Sequence, residues 1–196
     1  LIRKALRDSG HPDIPVISLS AVKLDESNPG FKLTVPLLKS CVYSVLFGDL
    51  MMQMLYRTRP YEAEEGAANE LFEDFMERAR RLAPTFTRRS FTKLSREAIT
   101  AFDTLPLTGE GSKPRVGVVG EILVKFHPTA NNHVVDVIEA EGCEAVVPGL
   151  LDFFLYSMSN AQVQKDELGS SAAARVSMDA AIGLGDWMRK PVDEML

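Results

Sequence analysis

Lys113 to Tyr156, KPRVGVVGEILVKFHPTANNHVVDVIEAEGCEAVVPGLLDFFLY, constrains the fold more than any other stretch of the chain. Arg115–Val119 is a β-branched run, Gly120–Ala130 a long loop, and Asn131–Glu141 a helical pattern stopped by Gly142. Ala145–Val147 is a second apolar run, and Leu150–Ser159 resumes helical spacing. Two short strands separated by a helix pair in parallel through a right-handed crossover. The expectation is therefore an α/β fold, with a Rossmann-like or flavodoxin-like parallel sheet and helices on both faces.

The preceding half adds helices. Leu1–Arg7 reads as a helix end, Asp8–Pro15 as a loop, Val16–Ser20 as a buried strand, and Asp25–Gly30 as turn-rich. Thr34 is a candidate N-cap for a long apolar helix with Pro36 in its first turn. Ala68–Leu82 alternates an apolar stripe with Glu and Arg, ending before Pro84, and Ser90–Asp103 carries Phe91, Leu94, Ala98 and Phe102 on one side. Three successive helices predict a helical layer added to the sheet. The expected organisation is residues 1–104 as strand plus helical layer, 105–114 as linker, and 115–196 as βαβ unit with a terminal helix over Ser171–Met195 beyond a polar stretch, Gln162–Ser170. All of it is expected to form one compact domain.

Composition narrows the function classes. In 196 residues, 45% are apolar and 25% charged, the mixture of a soluble globular protein. A net charge of −5 argues against general nucleic-acid binding, which draws its affinity from a basic excess. The run Val35–Tyr56 is interrupted by Lys39, Asp49 and Gln53, short of the ~18 uninterrupted apolar residues that a membrane span needs, so a buried helix is expected. Opening at Leu1 without a signal-peptide pattern, the sequence reads as a piece of a longer cytoplasmic protein.

Catalytic signatures are missing from the sequence. Gly117 and Gly120 do not complete a G-x-G-x-x-G, no P-loop is present, and no serine stands in a nucleophile elbow. His127 and His133 are six apart, and His11 is remote, so no zinc set emerges. Cys41 and Cys143 read as small hydrophobes. The polar loop offers Glu121, His127, Asn131 and Asn132 beside Lys125, either as ligand contacts or as helix caps. Asp49 sits in the apolar helix. Arg59, Tyr61 and Glu62, within Arg-Pro-Tyr-Glu, are candidates for an interface or a structural corner.

PDIPVISLS at Pro12–Ser20, FGDLMMQMLYRTRPYE at Phe47–Glu62 and KPRVGVVGEILVKFHPTANNHVV at Lys113–Val135, with a weaker match in GDWMRKP at Gly185–Pro191, together resemble one family. It is the large acyl-CoA dehydratase activase-related proteins of anaerobic bacteria, whose C-terminal regions are similar to the iron–sulfur subunits of 2-hydroxyacyl-CoA dehydratases. The resemblance implies a parent protein that uses ATP and a [4Fe–4S] cluster, as a dehydratase-type lyase or its activator. It implies no cofactor in this piece, which would contact other domains of the parent and present Glu121, His127, Asn131 and Asn132 toward an acyl-CoA. The basic residues between Arg78 and Arg96 are then candidates for the CoA phosphates, or else a solvated face with weak ion pairs. Two rival readings are a purely structural or docking domain, and a stand-alone Rossmann-like small-molecule binder.

Overall fold

The computed structural model describes residues 2–11, 13–14, 34–109, 111–157, 159 and 172–194. The strand expected at Val16–Ser20, the turn at Asp25–Gly30 and the polar stretch Gln162–Ser170 lie outside them. The chain divides into a small unit, Leu1–Leu38, and a large one, Lys39–Leu196. In the small unit α1 spans Ile2–Asp8 and closes with His11 N–H donating to the Leu6 carbonyl at 2.8 Å. Thr34 Oγ1 accepts the Leu37 N–H at 3.3 Å and so caps the start of the next helix.

That helix, α2, spans Val35–Thr58 and runs into a 3-10 turn at Arg59–Tyr61. It is long and apolar enough by composition to cross a membrane. Its apolar character has an internal use, because Phe47, Leu50, Met51 and Met54 are buried in the core of the large unit. α3 follows at Ala67–Leu82, a second 3-10 turn at Ala83–Thr85, and α4 at Arg88–Asp103. A Thr87–Ser90 capping box starts α4 two residues earlier than periodicity predicts, since each side chain satisfies the other's backbone N–H.

Aromatic residues centre this helical layer. The Tyr43 ring lies 4.9 Å from Phe91, and Phe86 meets Phe91 edge-on at 6.4 Å. α3 packs on α4, and α4 on the terminal helix.

The described sheet has two strands, β1 at Arg115–Gly117 and β2 at Glu144–Val146, paired in parallel with Val116 opposite Ala145. Between them lie two short helices, α5 at Ile122–Phe126 and α6 at Val134–Ala140, with α6 against β2. After β2, α7 covers residues 150–157, and α8 spans Ala172–Asp193. The architecture is thus mostly helical with a small parallel sheet.

Several local expectations change. The loop Gly120–Ala130 is not loop throughout, because Glu121 caps α5 by accepting the Leu123 N–H at 2.8 Å. The crossover helix begins at Val134 rather than Asn131, because Asn132 and His133 both take left-handed conformations, φ 56° and 55°. Asn tolerates that region better than most residues. In the terminal helix Gly185 is buried where a Cβ would stand 2.9 Å from a Leu155 methyl, so it lets α8 approach α7 closely. The stretch 105–114 is bound to the corner after α2. Ala63 N–H donates to the Pro106 carbonyl at 3.0 Å, Thr108 N–H to that of Tyr61 at 2.8 Å, and Glu62 bridges Leu107.

Candidate functional site

The corner Arg59–Glu62 is where the helical layer meets the βαβ unit, and each side chain there has a defined task. Arg59 forks onto Glu139 of α6, Nε to Oε2 at 2.7 Å and Nη2 to Oε1 at 3.0 Å, and donates to Asn69 Oδ1 at 3.0 Å. Its guanidinium also lies 5.6 Å from the centre of the Tyr56 ring. Burial alone lowers the Arg59 pKa, but the hydrogen bond and charge of Glu139 outweigh it and hold the proton more firmly than usual. Tyr61 donates its hydroxyl proton to Glu144 Oε2 at 3.0 Å and accepts the Lys113 N–H at 2.9 Å. Glu144 is buried at the start of β2 and is ion-paired with Arg115 at 3.0 Å. Glu62 accepts the Gly66 and Ala68 N–H groups, both at 2.8 Å. Gly66 is the N-cap of α3 and has no side chain, so Glu62 serves as the cap from four residues upstream.

Asp49 does the same for α7 from across the core. Its two carboxylate oxygens accept the Leu150 N–H at 2.8 Å and the Leu151 N–H at 2.9 Å. Burial pushes the Asp49 carboxyl above its ordinary 3.8; the two amide bonds pull it down without overcoming burial, and Asp152 nearby adds to the rise. In a parallel sheet the helix N-terminus beyond a strand's carboxyl end is the usual anion site. Here an internal carboxylate already holds it.

That close approach depends on Gly149, where an added Cβ would lie 2.9 Å from Asp49 Oδ2 and 3.2 Å from its Cγ. Gly149→Ala is therefore expected to push the carboxylate off both amides and cost about 1–3 kcal/mol, measured by urea unfolding. Gly185→Ala is the comparison. Its obstacle is one flexible Leu155 methyl, and alanine in a helix regains about 1 kcal/mol over glycine, so the net change should be small.

Beside Asp49 lies a cleft of about 570 Å³ between α2, the end of α4 and β2. Met54, Ile99 and Phe102 supply apolar wall, while Arg57, Asp103, Arg115, Glu144 and Asp152 bring charge. Its volume suits a small molecule. Sequence reasoning missed it, because its charged residues come from separate segments that no single motif joins. The one available signal was helical spacing, which puts Asp49, Gln53 and Arg57 in a single row on α2.

The polar loop lies apart from the cleft's lining. Glu121, His127 and Asn132 are exposed, and Asn131 is half-buried. Three of the four serve the local backbone. Glu121 caps α5, His127 Nδ1 accepts the Ala130 N–H at 3.3 Å, and Asn131 Oδ1 accepts the Val134 N–H at 3.3 Å. Asn132 forms the left-handed turn. None of these hydrogen bonds links one of the four to another.

Among the described residues no group of three or more His, Cys, Asp or Glu side chains is arranged to hold a metal ion. A [4Fe–4S] cluster takes four thiolates, and the chain has only Cys41 and Cys143, so its residues do not fit such a group. Compared with protein-family models, curated proteins and solved structures, the chain matches none.

Proposed function

We propose that the chain is a scaffold domain of a cytoplasmic, activase-related and 2-hydroxyacyl-CoA dehydratase-like iron–sulfur protein, joining other domains of that protein and performing no catalysis alone. ATP and the cluster would belong to the rest of the protein, and neither nucleic acid nor membrane would be a partner. The observation that carries this reading is the unfinished sheet. All three residues of β1 are exposed, Val119 just beyond it is 80% exposed, and among the described residues β1 has no partner on its other edge. Parallel strands are ordinarily covered on both faces, because their apolar side chains are costly to leave in water, and an open edge presents a row of N–H and C=O groups free to pair. β1 and β2 are then two strands of a larger Rossmann-like sheet that neighbouring domains complete.

The motif residues support the same reading. Asp49, Arg59, Tyr61 and Glu62 spend their hydrogen-bonding capacity on internal ties. A variant of this reading, a docking domain with no ligand site, is favoured by the polar loop, where Glu121, His127 and Asn131 already accept backbone N–H groups. Titration with CoA and with a 2-hydroxyacyl-CoA, followed by amide chemical shifts, separates the two. Saturable shifts centred on Gly120–Asn132 and lost in a Glu121→Ala, Asn132→Ala double variant would give the loop an acyl-CoA-facing role. A flat response at millimolar ligand would leave docking alone.

A further inference from the structure

α4 carries a charge pattern that its fold does not use. Arg88, Arg89, Lys93 and Arg96 fall within nine residues containing no acid, in a chain of net charge −5. A helix N-terminus already bears about half a positive charge, so cations in the first turn work against it. Arg88 and Arg89 are the first two residues of α4, and its first turn has no acidic residue. Sequences break such local rules chiefly where function compensates.

The basic residues of α3 are paired with acids, whereas Arg89 and Arg96 of α4 are not. Arg78 pairs with Glu97 and Asp74, and both Arg80 and Arg81 pair with Glu77. Lys93 pairs with Glu97 at 3.9 Å, the same distance as Arg78 from Asp74. Arg89 and Arg96 have no ion-pair partner among the described residues. Arg88 lies 4.3 Å from the centre of the Trp187 ring of α8. Stacking of that kind steadies a guanidinium while leaving its N–H edge free for an anion.

A groove of about 1020 Å³ runs along this face, lined by the four cations, Thr92, Thr100, Ala101 and one acid, Glu97, which Arg78 pairs from α3. Arg88, Thr92, Arg96 and Thr100 recur every four residues, and from Arg88 to Arg96 the helix rises about 12 Å. One phosphate needs less than that. A ligand with several phosphate groups in a row matches the spacing, since each guanidinium can fork onto phosphate oxygens. The Thr87–Ser90 box already occupies backbone donors at the helix start, so side chains do the holding.

We propose that this groove binds a small anion bearing several phosphate groups, gripped by Arg89 and Arg96 and flanked by Arg88 and Lys93. The proposal does not depend on the scaffold reading. Trp187 is the only tryptophan, so its fluorescence reports on the Arg88 stack. Titration of the full chain with sodium tripolyphosphate at constant ionic strength should give a saturable change, with calorimetry in parallel so that a silent ring does not hide binding. Arg89→Ala with Arg96→Ala should weaken binding roughly tenfold or more, the equivalent of a lost charge-assisted hydrogen bond. Both residues are exposed, so that variant should fold normally. Arg80→Ala with Arg81→Ala removes the same formal charge from α3 and should leave affinity within about twofold, the scale of screened long-range attraction. No saturable binding in the millimolar range, or equal weakening in both double variants, would overturn the proposal. So would polyglutamate binding as tightly as tripolyphosphate, which would make the face a protein contact.

Discussion

Replacing Arg59 by alanine is expected to lower stability by about 2–4 kcal/mol, because it strands a carboxylate that the fold has largely withdrawn from water. The side chains of Arg59 and Glu139 are 19% and 14% exposed, so their forked contact is far drier than the surface pairs on α3. Loss of the guanidinium also frees Asn69 Oδ1 and removes the cation from the Tyr56 ring. Arg59→Lys keeps the charge but not the fork, and about 1–2 kcal/mol should still be lost. A double-mutant cycle with Glu139→Gln isolates the pair, and hydrogen exchange should show α6 opening before α4. A change within about 0.5 kcal/mol of wild type for Arg59→Ala, the range of ordinary surface substitutions, would mean that this corner does not join the two layers.

How much of this was legible in the sequence depends on the range of the interactions involved. α3 and α4 were readable because amphipathic spacing is local; Phe75, Ala79, Phe91, Leu94 and Phe102 all fall on the buried faces that their spacing predicts. The parallel pairing of β1 and β2 was readable because a crossover between two β-branched runs admits few alternatives. Arg59, Tyr61 and Glu62 stood out through their clustering, but their partners did not. Glu139 and Glu144 lie about eighty residues downstream of them, and no local pattern couples such positions. Glu62 is the exception, since its amide partners lie only four and six residues downstream, where the N-cap of α3 is a glycine with no side chain to do the capping. The helix start at Val134 was misplaced because Asn131 and Asn132 look alike as candidate caps, whereas one accepts a hydrogen bond and the other turns the chain. The cleft was invisible for the same reason as the corner's partners, since the segments that line it meet only in the folded protein.

Asp49→Ala is the companion to the Arg59 prediction, and its cost should also reach about 2–4 kcal/mol at acidic pH, where two amide donors at the start of α7 lose their acceptor. The pH dependence separates Asp49 from an ordinary cap. In the unfolded chain its carboxyl titrates near 3.8, and in the folded protein burial raises it. Between those values the folded state binds more protons than the unfolded state, so stability falls as pH rises through the window. The contribution is therefore complete below 3.8 and lost as pH rises through the higher folded value. Asp49→Asn removes the titration while keeping one acceptor oxygen, so its cost relative to wild type should be greatest below 3.8 and shrink toward neutral pH. Urea unfolding of both proteins across that interval tests the sign. A carboxylate whose main role was to attract the α7 dipole as a charge would give the opposite trend, with the variant most damaging at neutral pH. A difference that shrinks instead would mean that Asp49 is retained for the shape of its two acceptors, at some cost in burying its charge.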